Sequence, residues 1–239
     1  MGIILMLLGT IVNALAIAVA SLIGTRIRNV PEGMSKIVMQ ALSLCLLIIG
    51  IQMGVTGENF LIVIASLTTG AMIGEWLQID ARLNKLGDWL GKKLGKESQG
   101  NVAQAFISST LIFAAGALAI LGPLESALRG DHSLLFTKAS IDGFSALIIS
   151  STLGIGVLFA AIPVFLYQSI ITLLASQIDA FVSPALMDLI IAELTCIGGI
   201  MILAIGLNLL NITNIKIANL LPSLVIVVAL VVGFQGMLL

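Results

Sequence analysis

The chain has 239 residues, of which 59% are hydrophobic and only 10% charged, with a formal net charge of −1. An ordinary soluble domain is about 25% charged, so this composition, with a mean hydropathy of +1.18, excludes a soluble globular protein and requires a bilayer as solvent. The apolar runs are continuous rather than alternating, which excludes a β-barrel and leaves an all-α polytopic membrane protein.

Eight apolar segments follow one another at 3–24, 37–55, 60–79, 104–124, 139–157, 158–177, 185–210 and 217–238. Each is near the roughly 20 residues that a helix needs to cross a hydrocarbon core. The first carries small residues at Ala18, Val19 and Ala20, as a signal-peptide cleavage site does. No positive charge precedes it, however, and the basic residues follow it, so it is read as a spanning helix. If the N-terminus lies outside, the cytoplasmic connections hold Arg26, Arg28, Lys36, Arg82, Lys85, Lys92, Lys93, Lys96 and Lys216, and the outer ones only Arg129 and Lys138. That asymmetry sets the orientation. An even number of spans then puts the C-terminus outside as well.

One long polar connection, residues 80–103, separates a first three-helix unit (1–79) from a five-helix unit (104–239). Leu83, Leu86, Leu90 and Leu94 recur on one helical face among Arg82, Lys85, Asp88, Lys92 and Lys93, and Trp89 stands at headgroup level. The pattern predicts an amphipathic interfacial helix, either a plain anchor or a regulatory lever. Laying Lys36 on Lys138 aligns Ser43 with Ser145, Gly54 with Gly156 and Gln40 with Asp142. That alignment raises a three-plus-three inverted repeat, with 104–177 as the second copy and 185–239 as two extra helices.

The stretch from Lys138 to Gln177 is the most informative. It is long enough for two spans, turns at Gly154, Gly156 or Pro163, and carries Asp142, Ser145 and Thr152 on one helical face, with Gln168 on the return. A helix facing only lipid has no use for such a face. As drawn, no Lys or Arg falls inside a span, and the embedded charges are acidic: Glu75, Asp142, Asp188 and Glu193. A buried charge costs several kcal/mol, so each one wants a reason. Asp142 and Glu193 are the candidate cation- or proton-binding residues. Against this, Asp142-Gly143 also suits a helix N-cap, and Glu193 could simply hydrogen-bond a neighbouring helix. Glu75 reads as a snorkelling interfacial residue and Asp188 as a first-turn carboxylate. Gln40, Ser145, Gln168 and Asn208 are the candidate neutral ligands. They belong to a wider polar set, Asn13 among them, most of which is interhelical glue.

Cys45, Cys196 and the single His132 suggest neither a disulfide nor a metal site. No nucleotide loop, G-x-S-x-G or HExxH pattern occurs, so neither a cofactor nor a nucleic-acid partner is expected, and the chain is not read as an enzyme.

The runs ILGPLESALRGDHSLLFTK, KASIDGFSALIISSTLGIGVLFAAIPVFLYQSIITLLA, GGIMILAIGLNLLNI and GAMIGEWLQIDARLNKLG resemble those of the YdfK/YqgA-like family of bacterial membrane proteins. The resemblance covers nearly the whole chain. It implies a bacterial inner-membrane protein and supplies neither a substrate nor site residues. Together these features predict a small homo-oligomeric secondary transporter, proton- or cation-coupled, that handles a small ion or polar solute. A passive cation channel is the first alternative. A non-transporting scaffold or sensor is the second, and in it the polar residues pair with one another in a closed core.

Overall fold

The computed structural model describes residues 3–27, 32–85, 99–114 and 118–238. Among the described residues there are helices and no strand. A single turn at Ile3–Met6 leads into α1 (Leu8–Arg26), α2 (Glu32–Gly54), α3 (Phe60–Trp76), α4 (Ile79–Lys85), α5 (Gln99–Ala114) and α6 (Leu118–Leu128). There follow α7 (Ser133–Leu153), α8 (Gly156–Phe159), α9 (Ala161–Phe181), α10 (Pro184–Leu209), a 3-10 turn at Ile217–Leu220, and α11 (Pro222–Leu238).

Among the described residues four stretches are long and apolar enough to cross a membrane: α1, α7, Gly156–Ile178 and α10. Counting α3 with α4, bent by 53°, and α5 with α6 as single broken spans raises the number to six. The apolar stretches Ser43–Gly54 and Ile217–Gly233 are shorter. The structure is thus an all-α membrane bundle, with four to six candidate spans among the described residues. Of the expected interfacial helix, α4 carries the beginning. Residues 86–98, with Trp89, Leu90 and Leu94, lie outside the described residues.

The chain folds as two compact units, and they do not follow the sequential halves. One unit holds residues 1–32 and 86–181, the other 33–85 and 182–239. The first helix therefore packs with the fourth to sixth apolar segments, and the second and third pack with the last two.

In the first unit α1 and α7 run parallel, since Gly9 lies against Leu135 and Gly24 against Leu147 and Ser150. A side chain at Gly24 would collide with the Ser150 hydroxyl and the Leu147 carbonyl, so glycine is what lets the two backbones approach. α7 stops at Leu153 because Gly154 adopts φ 86°, a left-handed conformation that a Cβ disfavours. Of the three turn positions that the sequence offers, Gly154, Gly156 and Pro163, the helix ends at the first.

A second device in this unit concerns Pro123, inside α6. Proline has no N–H, so the carbonyl four residues earlier, that of Ala119, loses its helical partner. The Tyr167 hydroxyl on α9 donates to that carbonyl at 2.9 Å, and the freed acceptor is satisfied from the neighbouring helix.

In the second unit α2 and α10 are antiparallel and close. A Cβ at Gly50 would lie 2.6 Å from Leu203 N, and one at Gly206 would lie 3.0 Å from Ser43 O. α3 and α11 pair in the same sense, with Gly70 against Ser223 and Gly74 against Asn219. α3 and α10 each start with a side-chain cap. The Asn59 side chain accepts from Ile62 N at 3.4 Å, and Ser183, followed by Pro184, accepts from Leu186 N at 3.3 Å.

Candidate functional site

The polar centre of the first unit is built on Asp142. α7 begins at Ser133, so Asp142 lies well inside the helix and is not its N-cap. Lys138, expected in an outer loop, is one turn earlier on the same helix and only 4% exposed, as is Asp142. Its ammonium reaches both carboxylate oxygens, at 3.0 and 2.9 Å, in the i,i+4 geometry that puts the two side chains on one face. The embedded charges are therefore not acidic only. α7 starts earlier than the apolar run at 139, through Leu134, Leu135 and Phe136, and it takes Lys138 in with it.

Asn13 on α1 completes the arrangement. Its Nδ2 donates to Asp142 Oδ2 at 3.1 Å and to Gln168 Oε1 at 3.3 Å, so one amide joins α1, α7 and α9. An ionised carboxylate only accepts, which fixes the way the Asn13 amide faces. Three atoms are then left without a partner among the described residues: Asn13 Oδ1, Gln168 Nε2 and, one turn before Asn13, Thr10 Oγ1. Asn13, Gln168 and Thr10 are all fully buried. Each such atom costs about 1–3 kcal/mol when left unpaired. Of the expected ladder, Gln168 joins Asp142 through Asn13. Ser145 is half-buried one turn beyond Asp142, and Thr152 donates back to the Ile148 and Ile149 carbonyls of its own helix.

Glu193 belongs to the second unit and is fully buried on α10. Its Oε1 accepts from the Glu58 and Asn59 backbone N–H groups at 3.0 and 2.6 Å, while Oε2 has no partner among the described residues. The carboxylate thus sits at the positive end of α3. It holds the Val55–Asn59 loop down, helped by the Cys196 thiol, which donates to Gly54 O at 3.0 Å.

Two other expected residues are committed to structure. The Glu75 carboxylate does not snorkel freely. It accepts from Lys216 Nζ at 2.8 and 3.1 Å and from Asn219 Nδ2 at 2.6 Å. Asn208 is spent on the loop after α10, accepting from Thr213 Oγ1 and Ile215 N and donating to Ile215 O. Asp188 is exposed in the first turns of α10. Gln40, in the second unit, lines a cavity of about 500 Å³ with Lys36, Leu209, Leu210 and Asn211. Among the described residues, no three of His, Cys, Asp and Glu gather as metal ligands.

A family model described as a protein of unknown function, DUF554, matches residues 8–232. The uncharacterized membrane protein YdfK of Bacillus subtilis (strain 168) is 34% identical over 224 residues, spanning 91% of this chain and 93% of its own length. The uncharacterized protein YqgA of Escherichia coli (strain K12) is 26% identical over 230 residues, spanning 94% and 96%. No solved structure matches the chain.

Proposed function

The chain belongs to the DUF554 family of unknown function, and on that premise we propose that it is a small secondary transporter of the bacterial inner membrane, proton-coupled at Asp142. The carrying observation is the Asn13 amide, which ties a buried Lys138–Asp142 pair to Gln168 across three helices while leaving Asn13 Oδ1 and Gln168 Nε2 unspent. Lys138 already neutralises Asp142, so the cluster has no net charge to offer a metal cation, and proton coupling is favoured over cation binding. A proton on Asp142 would leave Lys138 as a buried charge without its partner, which costs several kcal/mol. The protonated cluster therefore has to rearrange, and Asn13 and Gln168 are the groups placed to rebuild its hydrogen bonds. Coupling of this kind needs two arrangements that a ligand or proton biases differently.

The test uses proteoliposomes with an internal pH dye, given the small-solute fraction of a bacterial extract. Solute-dependent proton movement that is present in the wild type and absent in Asp142→Asn supports the reading. Movement unchanged by that substitution sinks it.

A static scaffold is the second reading, favoured by Glu193, whose Oε1 is committed to the backbone of Glu58 and Asn59. Under it, a Lys138→Met/Asp142→Leu double variant that folds normally also keeps its cellular phenotype. Under the transport reading that variant folds and does not transport.

A further inference from the structure

The proposed transport site leaves unused the cavity of about 500 Å³ in the second unit, formed by the beginning of α2 and the end of α10. We infer that this cavity binds a phosphate-bearing group, the headgroup of an anionic lipid, through Lys36, Gln40 and Asn211. Among the described residues the lining joins one ammonium and two carboxamides to Leu209 and Leu210, with no carboxylate. Ammonium and amide N–H groups are donors suited to phosphate oxygens. Among the described residues Lys36 has no ion pair.

Asn211 is the most specific part. Its φ is 59°, and it occupies the left-handed position that ends α10, where Ile212 N bonds back to Leu207 O at 3.0 Å. Glycine is the default there, and asparagine is the usual second choice. The neighbouring Asn208 carries hydrogen bonds to Thr213 and Ile215 in the following loop. Asn211 lines the cavity.

Depth along the helices selects the source of the phosphate. On α2 the apolar run starts immediately after Lys36, and on the antiparallel α10 it ends at Leu209 and Leu210. The polar donors thus stand where both helices leave hydrocarbon, at headgroup level, and the two leucines wall the apolar side. By the count of basic residues, this end also lies on the side where anionic lipids attract lysines. The inference is independent of whether Asp142 couples transport.

The purified full chain in neutral detergent is titrated with phosphatidylglycerol, with phosphatidylcholine and with inorganic phosphate, following the thermal midpoint and lipid retention by native mass spectrometry. Asn211→Gly keeps the left-handed turn and removes only the amide, so it tests the site without unfolding it. Phosphatidylglycerol should raise the midpoint more than phosphatidylcholine. Lys36→Gln should weaken that effect about five-fold, roughly what one basic contact near a membrane contributes, and Asn211→Gly should weaken it about five-fold through the loss of one hydrogen bond of about 1 kcal/mol. Inorganic phosphate alone should not reproduce it. Equal response to both lipids, or wild-type phosphatidylglycerol binding in both variants, overturns the site. Saturation by inorganic phosphate overturns the lipid as its occupant.

Discussion

Lys138 and Asp142 form an ion pair at 2.9 Å inside a membrane helix, each side chain almost wholly shielded. Sharing one face of α7, the two charges cancel where neither could stand alone.

That relationship predicts a strongly non-additive pair of substitutions. Lys138→Met or Asp142→Leu alone strands a buried charge and should cost about 3–5 kcal/mol, whereas the double variant should recover most of it. Unfolding in mixed micelles measures the cycle. Additive losses would mean that the two side chains do not depend on each other.

Tyr167 should matter only because of Pro123. Tyr167→Phe leaves the Ala119 carbonyl unpaired, at a cost of about 1–3 kcal/mol. In a Pro123→Ala background, residue 123 regains an N–H for that carbonyl, and the same substitution should cost close to nothing. A loss of equal size in both backgrounds would assign the tyrosine some other role.

For Glu193, the prediction concerns a loop. Glu193→Leu deprives two backbone N–H groups of their acceptor, for about 2–6 kcal/mol in sum, while Glu193→Gln keeps a carbonyl oxygen for them and should cost about 1 kcal/mol. Hydrogen exchange at Glu58 and Asn59 should accelerate markedly in the leucine variant and little in the glutamine one.

Lys216 carries a pH signature. The hydrogen bond and charge of Glu75 hold its ammonium above the ordinary lysine range. A raised folded-state value means the contribution is whole below the unfolded lysine value, about 10.4, and is lost as pH climbs through the higher folded value. The pair is largely solvent-exposed, so the effect is small and weakens with salt. The difference in thermal midpoint between wild type and Lys216→Met should stay constant through neutral pH and close only at the alkaline end. Closure near neutrality would refute the assignment.

Much of this was legible in the chain, and what was not has identifiable causes. Composition alone dictates helices in lipid, and Asp142 and Gln168 stand out because polar groups in apolar runs are conspicuous. Lys138 was misplaced because a hydropathy boundary follows side-chain polarity, while the helix follows the backbone past it. Its spacing of four from Asp142 was the available signal. The junction of Asn13 with Asp142 spans 129 positions and has no periodic trace at all. Asn208 reads as a ligand and Glu75 as a free interfacial carboxylate because an isolated polar residue looks alike whether its partner is a solute, a loop or a lysine. The grouping into units was hidden for the same reason: a glycine at position 24 or 50 announces close approach without naming the helix that approaches.

The distance between Asn13 and its partners also has a consequence for biogenesis. Ribosomes add roughly 5–20 residues each second, so α1 leaves the exit tunnel on the order of ten seconds before Asp142 has been made. During that interval Asn13 is without both of its folded-state partners, and the three-helix junction can close only after α7 and α9 have been made.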